Sequence, residues 1–173
     1  MRQATSAKRK SKYPATYDTF KLRGQLEYVL RDSRTGVIVD RGKQHNVVTA
    51  TGRGFALGRL VSASNTSLLT AIAVGSTTSA PTSNDTALGA WATARTFNVG
   101  TTLTSATNTA CTFAAAASWA SNETWTNSSQ IGEFALIWGT TSNAFTLFNK
   151  ITTGSFINFG TSNTLAVTIT ITN

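Results

Sequence analysis

The residues able to do chemistry are few and scattered. His45 and Cys111 are the only imidazole and the only thiol in 173 residues. One thiol makes no internal disulfide, and these two ligands alone build no thiolate–imidazole metal cluster within a chain. His45 has no Ser or Cys motif tied to it, no G-x-S-x-G elbow occurs, and it reads as a loop or strand-end histidine. Cys111 lies inside an apolar run and reads as a small buried hydrophobe. Of the acids, only Asp85, Glu123 and Glu133 fall beyond residue 59, and nothing in their spacing selects a general acid/base pair. The segment GRGFALG (52–58) places glycines near arginines. It lacks the Lys-Ser/Thr ending of a P-loop and the G-x-G-x-x-G spacing, so it reads as a tight backbone contact or a turn into a short helix. The sequence assigns no catalytic residue, no metal ligand and no cofactor, and the expectation is a protein that is not an enzyme.

Charge is the stronger signal. The formal net charge is +8, and it is unevenly placed. Residues 1–59 hold 13 of the 15 Lys and Arg but four of the seven acids. Within the first 19 residues, Lys8, Arg9, Lys10 and Lys12 fall close together, followed by Tyr13 and Tyr17. This stretch reads as a flexible basic arm. Its cations suit phosphates, with salt-dependent affinity from counterion release. They equally suit water or an acidic patch on a neighbouring protein. No aromatic interrupts AKRKSK to stack on bases, and the two tyrosines fit a protein groove as well. The start is basic without the apolar segment of a secretory signal, and no apolar run approaches a membrane span. A cytosolic origin without membrane contact is the simplest expectation.

The elements that must position these groups are strands. Thr and Ser make up 49 of 173 residues, and charged residues only 13%. Those types favour strands and turns over helix interiors. In residues 20–31, Phe20, Leu22, Leu26, Tyr28 and Leu30 share one parity and the charges share the other, which predicts a half-buried strand. Gly24 on the apolar parity marks a bulge or a close contact. DSRTG (32–36) is a turn, VIVDRG (37–42) its return strand, and QHNVVTA (44–50) a further short extended piece. TGRGFALGRLVSAS (51–64) is the one helix candidate, with Thr51 as cap and Phe55, Leu57, Leu60 and Val61 inward; its three glycines each cost roughly 1 kcal/mol.

Strands are also predicted at 68–75, 91–104 and 108–120, the last despite its AAAA run. QIGEFALIWG (130–139) reads as another, with Ile131, Phe134, Leu136 and Trp138 inward, and AFTLFNKI (144–151) as its hairpin partner. The last strand, NTLAVTITITN, puts Leu165, Val167, Ile169 and Ile171 on one face and mostly threonine on the other. Eight to ten strands predict an all-β, antiparallel β-sandwich (jelly-roll or immunoglobulin-like) with one short helix. The arm spans 1–19 and a single domain 20–173. Trp91, Trp119, Trp125 and Trp138 read as core or interface rings, with a sugar-binding surface as the minority alternative.

Between the strands at 68–75 and 91–104 lies a long polar loop, within AVGSTTSAPTSNDTALG (73–89). Gly75 ends the buried strand, Pro81 stiffens the loop, and Asp85 or Thr86 starts a turn that returns Leu88 to the core. Thr77, Thr78, Pro81, Asn84 and Asp85 are its candidate inter-subunit contacts.

The order of these motifs resembles small tail and appendage structural proteins of tailed bacteriophages. YVLRDSRTGVIVDRGKQHNVVTATGRGFALGRL is similar to their hairpin, N-V-V segment and glycine-led helix. Gly75, Ala80-Pro81, Asp85-Thr86-Ala87-Leu88 and Arg95 match a strand ending in Gly, a Thr/Ser loop with A-P, a D-T-A-L run and a nearby arginine. Ile131, Glu133, Ala135 and Leu136, then a turn and final hairpin, close the pattern. The resemblance covers roughly residues 27–173 and leaves the arm outside it. It implies a β-sandwich virion protein, made in the host cytoplasm, that assembles as a homo-oligomer (ring, trimer or shell) and docks to other virion proteins. It does not choose among tail, baseplate, fibre-attachment and capsid-decoration positions. The alternatives are a single jelly-roll capsid protein whose arm binds packaged nucleic acid, and a host-glycan-binding module.

Overall fold

The computed structural model describes residues 21–61, 69–96, 103–107, 110–121, 123, 125, 130–141 and 144–172. The chain runs β1 (Arg23–Asp32), β2 (Ile38–Val48), α1 (Ala50–Val61), β3 (Ala71–Gly75), β4 (Trp91–Thr96), β5 (Leu103–Thr107), β6 (Ala110–Trp119), β7 (Gln130–Thr141), β8 (Ala144–Leu147), β9 (Asn149–Asn158) and β10 (Asn163–Thr172). Among the described residues every strand pair is antiparallel, in the order β4-β3-β7-β9-β2-β1-β10-β6-β5, with β8 added to β7. The fold is all-β with one short helix, as the composition predicts. It is a sandwich whose two layers are continuous along one side. The seam is short: β2 meets β9 only at Val47–Lys150 and Val48–Asn149. The sheet curls from there until β6 lies against β3 and β4.

Alternation decides which faces meet. In β1, Gly24, Leu26, Tyr28 and Leu30 are buried, and in β10 Leu165, Val167, Ile169 and Ile171 are. They oppose one another in register (Leu26 with Ile169, Tyr28 with Val167, Leu30 with Leu165). The far layer answers with Ile72 and Val74 of β3, Phe134 and Leu136 of β7, and Ile151 and Ile157 of β9, in one apolar cluster. The Tyr28 and Phe134 rings stack across the layers with centroids 6.3 Å apart. Each fully buried aliphatic side chain contributes about 1.5–3 kcal/mol. Gly24 is a close contact: a Cβ there would strike the Asn46 side chain. β6 takes its run of alanines as strand, because small side chains between β10 and β3/β4 matter more there than helix propensity.

Three local readings are corrected. Within 37–50, Ile38–Val48 form one long strand, not two pieces, since β1 pairs with it continuously from Gly24–Asn46 to Leu30–Asp40. The helix starts earlier than expected. Thr49, not Thr51, is its cap: the Gly52 N–H donates to Thr49 Oγ1 at 3.0 Å, and Thr49 is wholly buried beside the Leu147 and Phe148 carbonyls. Leu57, expected inward, is exposed, while Phe55 stacks on Trp138 at 4.6 Å. At the hairpin tip the turn is as read. The Asp32 carboxylate accepts the Arg34 and Thr35 N–H groups, and Gly36 takes the φ of 70° that favours glycine.

Two glycines of α1 test this packing with opposite signs. A Cβ on Gly52 would strike the Phe148 carbonyl, whereas one on Gly54 meets nothing within 4 Å. Gly52→Ala is expected to destabilise by about 1–3 kcal/mol. Gly54→Ala is expected to stabilise by about 0.5–1 kcal/mol. Urea unfolding midpoints of the two variants check both signs.

Candidate functional site

The polar loop after β3 is fastened by three charged side chains, two from the sheet below and one of its own. β7 is central, paired to β3 through Gly75–Glu133 and to β9 through Glu133–Thr152. Glu133 is fully buried on the outer face of this layer. Its carboxylate rises past Gly75, where a Cβ would collide with Oε1. There it accepts the Gly89 N–H at Oε2 and the Ala90 N–H at Oε1, both at 3.1 Å. Lys150, from the seam on β9, points Nζ into the same place, 3.2 Å from Glu133 Oε2 and 3.3 Å from Asp85 Oδ2. The Lys150 side chain is 7% exposed and that of Asp85 22%. Asp85 is itself clamped: it accepts the Thr82 N–H at 3.1 Å and the Thr82 hydroxyl at 2.7 Å. Burial pushes the Asp85 carboxyl up. The Thr82 hydroxyl and amide and the Lys150 ammonium outweigh it and leave it below the ordinary carboxylate range.

Backbone contacts complete the fastening. Ser76 N–H donates to the Ala90 carbonyl at 2.8 Å, closing the loop's mouth, and Ala50 N–H donates to the Ser83 carbonyl at 2.7 Å, tying its middle to the start of α1. The Thr77 carbonyl rests on Gly132, leaving no room for a Cβ there. Leu88 is buried in a second apolar cluster with Ala71, Ala73, Ala135, Ile137 and Leu147, flanked by Trp91 and Phe145. The loop is therefore a cover over the outer face of β3 and β7. Thr77, Thr78, Pro81 and Asp85 are half-buried and Asn84 is exposed. The Asp85 carboxylate is engaged within its own chain, by Thr82 and Lys150. Ser79, Ala80, Thr82, Asn84, Thr86 and Ala87 form the exposed side.

A second feature lies on the opposite layer. The outer face of the β1–β2 hairpin is basic: Arg23, Arg31, Arg41, Lys43 and His45 are all exposed. Register sets Gln25 beside His45, Glu27 beside Lys43 and Val29 beside Arg41. Lys43 Nζ is 2.8 Å from Glu27 Oε1, which holds the Glu27 carboxyl low. From Ile38 to Asn46, β2 pairs with no described strand on its other side. Next to that edge, Val37 (61%), Ile38 (40%) and Val39 (56%) are exposed together.

The arm residues Lys8, Arg9, Lys10, Lys12, Tyr13 and Tyr17 lie outside the described residues, as do the side chains of Cys111 and Arg95. None of the four tryptophans is exposed. Trp119 is buried against Trp125, Trp125 meets Phe159 at 4.4 Å, Trp138 meets Phe55 and Trp91 meets Phe145. Among the described residues, no group of three His, Cys, Asp or Glu is placed to hold a metal.

The sequence reading named Asp85 and Glu133 singly and missed Lys150. A signal was present: Lys150 is one of two basic residues after position 59, set in the apolar run LFNKI. A charge in such a strand needs a partner. No family model, curated protein or solved structure matches this chain.

Removing one partner of the buried pair strands the other. Lys150→Met is expected to destabilise by about 3–5 kcal/mol, because the buried Glu133 carboxylate loses its cation and keeps only the Gly89 and Ala90 N–H groups. Adding Glu133→Gln to Lys150→Met is expected to recover part of that loss. Urea denaturation of both single variants and the double variant measures the coupling.

Proposed function

We propose that this chain is a non-enzymatic structural protein of a tailed-phage virion, a tail, baseplate, fibre-attachment or capsid-decoration component. It acts by self-assembly and by docking to other virion proteins. The observation that carries the reading is the exposed Val37–Val39 run at the start of β2, beside an edge that pairs with no described strand. An edge with three adjacent β-branched residues in water invites strand pairing, and an assembly covers it. The fastened loop supports the same reading, since it presents a fixed polar surface rather than a mobile one. So does the sequence pattern: Gly75, the D-T-A-L aspartate and the glutamate of IGEFALIWG, distant in sequence, are packed at one place. Multivalency in a ring, trimer or shell turns modest single contacts into tight retention.

The basic hairpin face favours one second reading, a shell protein that holds packaged nucleic acid. Arg23, Arg31, Arg41 and Lys43 continue the positive charge of the arm onto the folded domain. Phosphate contacts of this kind weaken steeply with salt.

Sedimentation velocity over a range of concentrations tests the first reading. The full chain is expected to self-associate, and Val39→Lys to weaken association at least tenfold without loss of fold. A concentration-independent monomer that is also absent from purified particles would overturn it. For the second reading, chains lacking residues 1–19 are expected to assemble into particles with less nucleic acid; unchanged content counts against it.

A further inference from the structure

The three charged groups under the loop are arranged as reactants as well as an ion pair. Lys150 carries a primary amine at 3.3 Å from a carboxyl oxygen of Asp85, and both belong to one folded chain. That oxygen adjoins the carbon that would be attacked, and groups held in such contact within one fold reach effective concentrations far beyond those in solution. The Lys150 side chain is almost fully buried, and one proton transfer within the cluster takes ammonium and carboxylate to the amine and acid that react. A third group, Glu133, touches the same nitrogen at 3.2 Å while its own carboxylate is held in place by the Gly89 and Ala90 N–H groups. Thr82 supplies two donors to the Asp85 carboxyl, its N–H at 3.1 Å and its hydroxyl at 2.7 Å.

We propose that Lys150 and Asp85 join in an intramolecular amide, with Glu133 as the general base. The neutral Lys150 Nζ attacks Asp85 Cγ, and the Nζ–Cγ bond forms. Glu133 takes a proton from the attacking nitrogen. The Thr82 donors contact one carboxyl oxygen each, the hydroxyl at Oδ1 and the N–H at Oδ2, so the oxygen on which charge develops keeps one donor. The Cγ–OH bond then breaks, and the hydroxyl leaves as water with the proton that Glu133 returns. Amine and acid become amide and water; Glu133 ends as it began, and no oxidant or other co-reactant is required. Because the resting groups are an ion pair, the reaction proceeds from a minor neutral state and is slow. The product is a covalent tie between the loop and β9 at the seam of the sandwich. It goes beyond the assembly reading and does not depend on it.

The test is the intact mass of the purified full-length chain after prolonged incubation at neutral pH, with peptide mapping of the product. The chain is expected to be lighter by one water, with the segments holding Asp85 and Lys150 joined. Asp85→Asn is expected to form the same link while losing one ammonia. Lys150→Arg and Asp85→Ala are expected to keep full mass. Glu133→Gln, with its fold checked by circular dichroism, is expected to keep full mass over the same period. A wild-type chain that stays at full mass, or a lost water that maps elsewhere, overturns the proposal. Linking of Glu133→Gln at the wild-type rate overturns the role given to Glu133.

Discussion

The Lys150 ammonium lies inside a β-layer, where an unmatched charge would cost several kcal/mol. It is matched by two carboxylates from different parts of the chain, one on the neighbouring strand β7 and one on the loop that covers it. Much of this side of the molecule follows from that demand. Glu133 must rise from the central strand, so Gly75 beside it must lack a side chain. The loop must bring two N–H groups and a carboxylate down to the sheet, so Leu88 is carried into the apolar cluster next to them. A buried ion pair of this kind adds little net stability over an apolar one. Its effect here is on conformation: the loop has one place to sit.

Lys150 is also half of the seam. It pairs with Val47 while its neighbour Asn149 pairs with Val48, and these contacts alone join β2 to β9. Asn149 adds a bond of its own, its Oδ1 accepting the Leu136 N–H at 2.6 Å where β8 gives way to β9. The seam thus joins the hairpin that bears the exposed basic face to the layer that bears the fastened loop. The two surfaces suited to contacts with other molecules are held in fixed relation by a few central residues.

Much of this fold is legible in the sequence because alternation is a local signal. β1 and β10 show their buried faces at period two, while their pairing, with Leu26 opposite Ile169, is set by the tertiary structure. The turn at 32–36 is legible for the same reason, since Asp32 and Gly36 act on their own neighbours. The helix start was misplaced because two threonines fit the rule; burial against the Phe148 carbonyl, a contact about 100 residues away in sequence, selects Thr49 over Thr51. The site was the least legible part. Asp85, Glu133 and Lys150 lie in three separate elements, and only strand order brings them together. The loop could be read as a loop, but its fastening could not.

Hydrogen exchange at the Gly89 and Ala90 amides of the wild-type protein tests the central claim most directly. Both donate to a buried carboxylate inside a fastened cover. Both amides are expected to exchange only when the domain unfolds, with protection equal to that of the β7 amides. Exchange at the rate of an open surface loop, while β7 stays protected, would contradict it.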